Sequence, residues 1–316
     1  MYLERTAARL YSNCSSAALR FQVSFSAVQI SQERFWMRLR VMTERDVPGG
    51  LRLNTLSGWN QTAADWHRFL CHSPRGCFVM ENHGKVAGTA TTICYESRFA
   101  WIGMVLVDPE YRNQGIGTQL LKKTIEYLED RGVATMKLDA TALGKPLYTK
   151  LGFVDEYEIE RWILKRSAGT RPPRCAPLGE IPLEQILRFD KELFGADRSF
   201  LLRSLFEEAP ELAMAVCEGE LPLGYAFGRC GLFADHLGPW MARSRAAADK
   251  VLQEFLSRSS RETLLVDCMK SNSMAVELLG AYGFAPSRLL TRMVRGSNVY
   301  SGRPASFCAI LGPEFG

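Results

Sequence analysis

The sequence predicts an α/β chain built on an α+β mixed sheet in two tandem halves, and three observations carry that reading. A β-rich apolar run beginning at Phe99 ends at Asp108-Pro109 and feeds an amphipathic helix through a glycine-bearing turn. A second strand pattern, Thr135-Met-Lys-Leu-Asp139, follows that helix. The same succession recurs in weakened form beyond Arg174.

The elements can be justified in chain order. Met37–Met42 alternates as a strand, and Thr43-Glu44-Arg45-Asp46 reads as a helix start. Leu56–Thr62 leads into a helix holding Asp65, Trp66 and Phe69, and Gly84-Lys-Val-Ala-Gly88 is a hairpin turn. The helix after the Arg112–Gly117 turn carries Ile116, Leu120, Leu121, Thr124, Ile125 and Leu128 on one face, and Gly132 stops it. Asp155, Tyr157, Ile159 and Arg161 alternate with Glu156, Glu158 and Glu160 along a later strand.

Gly115 and Gly117 at a helix N-terminus form a physical device for holding an anion. The first-turn N–H groups have no intrahelical partner, and the helix dipole adds partial positive charge there. One such end is worth only about 0.3–1 kcal/mol toward an exposed anion. Several convergent N–H groups and an arginine are therefore needed, and Arg112 is placed to help.

Val107-Asp108-Pro109-x-x-Arg112-x-x-Gly115-x-Gly117, followed by Leu147-Tyr148-x-x-x-Gly152-Phe153, resembles the acyl-CoA site of the GNAT superfamily of N-acetyltransferases. The resemblance covers roughly Arg38 to Leu164. It implies that each half is a central, mostly antiparallel twisted sheet flanked by helices. It further implies acetyl-CoA as cosubstrate, with the pyrophosphate held by Arg112, Gln114, Gly115, Ile116, Gly117 and Thr118. The preceding strand would splay from its neighbour and offer the backbone of Val105, Leu106 and Val107 to the pantetheine arm. The loop is not a dinucleotide fingerprint, since neither a G-x-G-x-x-G spacing nor a matching acidic residue is present.

Tyr148 is the candidate general acid. A coenzyme thiol titrates near the cysteine value of about 8.5, and a phenol near 10 can protonate the thiolate as it leaves. Two departures from the family pattern stand out. Thr141 replaces the asparagine common in the family seven residues before the tyrosine, and Phe99–Met104 carries no acid. Glu96, Asp139 and Glu156 are the base candidates, with a water chain an equal alternative.

Composition narrows the class further. The 316 residues suffice for two domains, and 47% hydrophobic with 23% charged residues is ordinary for a globular protein. A formal charge of +5 without dense Lys/Arg runs argues against nucleic acid, and no apolar run is long enough for a membrane span. Nine scattered cysteines with no C-x-x-C point to a reducing cytoplasm and away from disulfides and zinc. His67 and His72 flank Cys71 at a spacing unsuited to one helix face, so no metal is expected.

Residues 1–36, rich in Ser, Ala and Arg, read as a poorly ordered N-terminal extension. Residues 37–165 form the expected catalytic domain, 166–178 a linker and 179–316 a second GNAT-like domain. Within the second, Thr263–Asp267 echoes Thr135–Asp139 and Tyr282-Gly283-Phe284 echoes Leu151-Gly152-Phe153. Arg292 stands as far from its Gly-Phe as Arg161 does from its own, and Gly219–Gly224 mirrors the first hairpin. Leu237-Gly238-Pro239-Trp240-Met241 aligns with the phosphate turn but contains a proline, which has no N–H to donate. Leu279 takes the place of Tyr148, whereas Asn272-x-x-Ala275 keeps the family-like element. The second half is thus expected to have no coenzyme site and to shape the acceptor entrance. Because Asp267 matches Asp139, a structural role shared by both is the economical account.

On the acceptor side, Trp59 and Asn60 are candidates for an aromatic and polar pocket, and Glu156 for attracting a cationic amine. Packing of Trp59 and Trp66 in the core, and a solvated acidic face, are the competing readings. The expected activity is acetyl transfer to a primary amine of a small molecule, by a monomer or homodimer. The alternatives are a coenzyme A-binding regulatory or scaffold protein, or an acyltransferase acting on a protein amine.

Overall fold

A computed structural model describes residues 36–167, 183–298, 300 and 302–316. Of the expected N-terminal extension, residues 1–35 lie outside the described residues, as do residues 168–178 of the expected linker and residues 179–182. The first half contains β1 (Met37–Val41), α1 (Val47–Ser57), α2 (Ala63–His72), β2 (Phe78–Asn82), β3 (Lys85–Tyr95), β4 (Phe99–Val107), α3 (Ile116–Asp130), β5 (Thr135–Ala140), α4 (Lys145–Lys150) and β6 (Val154–Lys165). The second contains α5 (Leu183–Phe194), α6 (Ser199–Glu208), β7 (Ala213–Glu218), β8 (Leu221–Cys230), β9 (Asp235–Ala242), α7 (Arg245–Arg258), β10 (Thr263–Met269), α8 (Ser273–Ala281), β11 (Ala285–Gly296) and β12 (Phe307–Ala309). Among the described residues no helix is long and apolar enough to cross a membrane.

The predicted helix start at Thr43–Asp46 is a short 3-10 turn that runs into α1, with a reciprocal Thr43/Asp46 cap. In α3 the six residues predicted for the apolar face are the buried ones, and Gly132 follows in the left-handed region at φ +71°. Strand alternation sorts the two layers. Phe99 and Trp101 of β4 join a core that includes residues of α1, α2, α5 and α6. Ala100 and Ile102, pointing the other way, pack with α3 and α4. Burial of each such large apolar side chain is worth about 1.5–3 kcal/mol.

The twelve strands form one sheet in the order β1-β2-β3-β4-β5-β11-β6-β10-β12-β9-β8-β7. The two halves have therefore exchanged their last long strands. β11 of the second half pairs antiparallel with β5, Thr291 opposite Ala140, while β6 of the first pairs with β10, Arg161 opposite Asp267. β6 and β11 also pair with each other.

This exchange explains the matched arginines. Arg292 on β11 donates Nε and Nη2 to Asp139 of β5, both at 2.8 Å. Arg161 on β6 donates the same two nitrogens to Asp267 of β10 at 2.7 and 2.6 Å. The side chains of all four are buried. Each pair ties one half to the other.

Candidate active site

The strand before the turn splays as the resemblance implies. β4 and β5 are paired only at Ala100–Met136 and Trp101–Lys137, after which the strands part. On its other side β4 is bulged against β3, because Thr89 faces Leu106 and Thr91 faces Gly103. Met104 and Val105 are thus set against the single residue Ala90, with Met104 at φ +49° and its carbonyl accepting from Thr89 Oγ1 at 2.7 Å. The bulge turns this stretch of backbone away from regular pairing.

The turn that follows is anchored by Asp108. Its carboxylate accepts from the Glu110 N–H at 3.0 Å and from Arg52 of α1 at 2.7 Å. Asn113 at φ +62° and Gly115 at φ +79° then bring the chain round to α3. Among the described residues no side chain caps this helix, and its first internal hydrogen bond runs from Gln119 N to the Gly115 carbonyl at 3.0 Å. The N–H groups of Ile116, Gly117 and Thr118 are left without an intrahelical acceptor. A β-carbon at Gly117 would meet only Leu147 and Val107, at 3.4 and 3.6 Å, so this face of the turn is open. Arg112 is exposed beside it, its Nε donating to the Val107 carbonyl at 3.2 Å, and Gln114 donates to the Glu110 carbonyl. The residues fit an anionic pyrophosphate on chemical grounds: open N–H donors, a helix N-terminus and a guanidinium.

A cavity lies at the point where β4 and β5 part. It is lined from β4 by Ile102–Val105, from β5 and beyond by Leu138, Asp139 and Thr141, and by Tyr148 of α4. Trp59 and Gln61, from the loop before α2, form another wall. Arg161 of β6, Arg288 and Leu290 of β11, and Pro313 and Glu314 complete it. Gly144 makes room for Tyr148, since a β-carbon there would come within 2.8 Å of its ring. Burial raises the Tyr148 pKa above that of a free phenol, which keeps the hydroxyl protonated and able to donate. Thr141, in place of the family's asparagine, accepts from the Gly144 N–H at 3.2 Å and so caps the turn leading to Tyr148.

Of the three base candidates, one reaches the cavity. Asp139 does, with both oxygens accepting from Arg292. Its burial lifts the carboxyl above the usual range, and the Arg292 guanidinium pulls the other way. Glu96 does not: it lies in the β3–β4 turn, bonded to Lys191 at 2.5 Å. Glu156 is not on a solvated acidic face. A register shift between the Tyr157–Arg292 and Asp155–Met293 pairs makes Glu156 the extra residue of a bulge, and it accepts from the buried Lys137 at 3.1 Å. The simple alternation read from the sequence breaks at that bulge.

The acceptor-side residues also separate. Trp59 lines the cavity, whereas Trp66 is fully buried in the core against Gly50. Asn60 is a clamp between halves: its Oδ1 accepts from the Phe233 and Ala234 N–H groups at 3.1 Å, and its Nδ2 donates to the Ala234 carbonyl. Sequence reasoning missed Gln61, Arg288, Pro313 and Glu314. Arg288 had a signal, since it stands as far from Gly283-Phe284 as Tyr157 does from Gly152-Phe153. Glu314, which accepts from Gln61 at 2.8 Å and from Arg229, had none.

The second half shows why one such site exists among the described residues. Leu237–Met241 is not its phosphate turn but lies within β9. Gly238 and Pro239 stand opposite the single residue Phe227, which makes them the counterpart of the Met104–Val105 bulge. The true counterpart of the turn is Arg243-Ser244, where Ser244 Oγ accepts from Ala247 N and caps α7 itself. The gap beyond the bulge is closed by β12, which pairs with both β9 and β10. A β-carbon on Gly238 would fall 2.2 Å from the Ile310 carbonyl oxygen, so protein backbone fills that space.

Comparison with known proteins agrees with this geometry. Residues 50–153 match the acetyltransferase (GNAT) family and residues 186–306 an acetyltransferase (GNAT) domain, together more than half of the chain. A holothin acyltransferase of Pseudoalteromonas sp. is 23% identical over 82% of this chain and 87% of its own length. A solved acetyltransferase of Pyrococcus horikoshii, 24% identical, superposes with a TM-score of 0.74 over 89% of this chain and 96% of that one. A tandem GNAT protein from clavulanic acid biosynthesis, 13% identical, covers 82% of this chain and 98% of its own with a TM-score of 0.57. The chain belongs to the GNAT acetyltransferases and carries two GNAT domains in tandem.

Proposed function

We propose that the protein transfers an acetyl group from acetyl-CoA to the primary amine of a small molecule, by direct attack within a ternary complex. The observation that carries this reading is the cavity where β4 and β5 part, which holds the splayed β4 backbone and Tyr148, while the same strand leads on to the uncapped N-terminus of α3. The pyrophosphate would lie on the Ile116–Thr118 N–H groups beside Arg112 and Gln114, and the pantetheine arm along Val105–Val107. The thioester then falls between β4 and β5, next to Tyr148.

The amine nitrogen attacks the thioester carbonyl carbon, the C–S bond breaks, and the departing sulfur takes the Tyr148 proton. The nitrogen gives up its own proton to water, and water in turn reprotonates the phenolate. Two carboxylates line the cavity, Asp139 and Glu314, and each oxygen of both already accepts from a side chain. The acceptor therefore enters as the free amine formed by its own ionisation. A small acceptor suits a cavity walled by Trp59, Pro313 and Glu314, and the scattered cysteines suit a cytoplasmic setting.

Thiol release from acetyl-CoA over a panel of amines tests the reading. Turnover is expected to rise with pH toward the pKa of the amine used. Tyr148→Phe is expected to lower kcat by about 10²–10⁴, with acetyl-CoA affinity nearly intact. Coenzyme binding with no release on any amine would leave a coenzyme-binding module in its place.

A further inference from the structure

The charges around the cavity come in pairs, with one left over. Asp267 is matched by Arg161, Asp139 by Arg292, and Glu314 by Arg229, which also reaches Asp65 at 2.6 Å. Arg288 also lines the cavity, yet among the described residues no carboxylate forms an ion pair with it. Its Nε is buried and has no hydrogen-bond partner. Burial, followed by the charge of Arg161, pulls its pKa below the usual guanidinium value, and Asp267 and Glu314 offset only part of this. Keeping such a group charged without an acceptor costs stability.

Pseudo-symmetry shows that the fold does not demand this. Directly across from Arg292 stands Tyr157, whose hydroxyl accepts from Arg292 Nη1 at 2.6 Å. The equivalent residue across from Arg161 is Arg288, a like charge in the position where the other copy has an acceptor. Like charges directly opposite on a sheet destabilise it. Only at this second position does the side chain face the cavity where the acceptor enters; Tyr157 does not line it.

We propose that Arg288 is the subsite for a carboxylate on the acceptor, so that the substrates are amino acids or other amines bearing a carboxylate. This rests on the transferase reading above. A planar carboxylate matches the guanidinium fork in a bidentate pair, which a single arginine can satisfy. A phosphate dianion would leave charge uncompensated at a site where, among the described residues, Arg288 alone is a cation without an ion-pair partner.

The test pairs acids with their neutral analogues. Thiol release is measured for glycine, leucine and phenylalanine against the corresponding amino amides. Binding of their N-acetyl derivatives, acid against amide, is measured by calorimetry in the presence of coenzyme A. The acid of at least one pair is expected to be preferred tenfold or more, both in kcat/KM and in affinity. Arg288→Met should reduce that preference below threefold without lowering the thermal midpoint, since it removes a like-charge contact. Arg288→Lys, which keeps the charge, should keep part of the preference, and it decides the matter should the methionine variant fail to fold.

Equal use of acids and amides by the wild-type protein would overturn the proposal. So would a preference that survives in Arg288→Met, complete loss of preference in a folded Arg288→Lys, or competition at this site by inorganic phosphate alone. The two readings fail separately. Release with neutral amines alone sinks the carboxylate subsite, whereas Arg288-dependent acid binding without any thiol release sinks the transferase.

Discussion

Asp139 and Asp267 stand at matching places in the two halves, and each receives two nitrogens from an arginine carried on the other half's exchanged strand. The match explains why Asp139 is poorly suited to remove a proton: its oxygens are occupied for the same reason as those of Asp267, in the half where β12 fills the gap between its strands. The Asp267 pair also makes acid stability predictable. Burial opposes ionisation of Asp267, but Arg161 outweighs it and holds the carboxyl well below the ordinary carboxylate range. A carboxylate depressed in the folded state adds stability above its unfolded pKa of about 3.9, and this is lost as the pH falls toward the folded value. Asp267→Asn leaves Arg161 buried and uncompensated, a loss of about 3–5 kcal/mol at pH 7. Urea unfolding should show the gap between wild type and variant narrowing below pH 4. A gap of the same size at pH 3 and pH 7 would mean that the carboxylate is not depressed by this pair.

At the scale of the element, α3 tests the proposed coenzyme turn most directly. A β-carbon at Gly117 makes ordinary contacts with Leu147 and Val107, so a side chain fits. Gly117→Asp would place a negative charge in the first turn of the helix, which favours the dipole by up to about 1 kcal/mol. The same charge repels a pyrophosphate. The variant is therefore expected to melt no lower than wild type, with KM for acetyl-CoA raised tenfold or more; an unchanged KM would move the pyrophosphate elsewhere. This turn, α3 and Tyr148 were legible in the sequence because each is written in consecutive residues. Leu237–Met241 was misread for a related reason. Its glycine and proline suggest a turn, whereas the bulge that places them in β9 depends on pairing with β8. Glu156 was misplaced by another bulge, set by its pairing with β11. Pro313, Glu314 and β12 had no local pattern at all, since their positions are fixed by distant partners such as Trp101, whose Nε1 donates to the Pro313 carbonyl at 2.9 Å.

For the whole molecule, the exchanged strands decide whether either half can stand alone. Among the described residues, β6 of the first half pairs with β10 and β11 alone, both from the second half. Likewise, among the described residues, β11 of the second half pairs with β5 and β6 alone. Separating the halves would strand one long, partly apolar strand in each and expose arginine or aspartate partners now buried in pairs. It would also remove Arg288, Leu290, Pro313 and Glu314 from the wall of the cavity that Tyr148 faces. A chain cut between residues 168 and 182 is therefore expected to give two fragments that are insoluble or unfolded apart. Expressed together they should recover a cooperative unfolding transition and thiol release. Circular dichroism and thermal melts of each fragment alone make the check. A first half that folds cooperatively and releases thiol by itself would reduce the second half to an accessory, and would mean that the strand exchange is not needed to build the site.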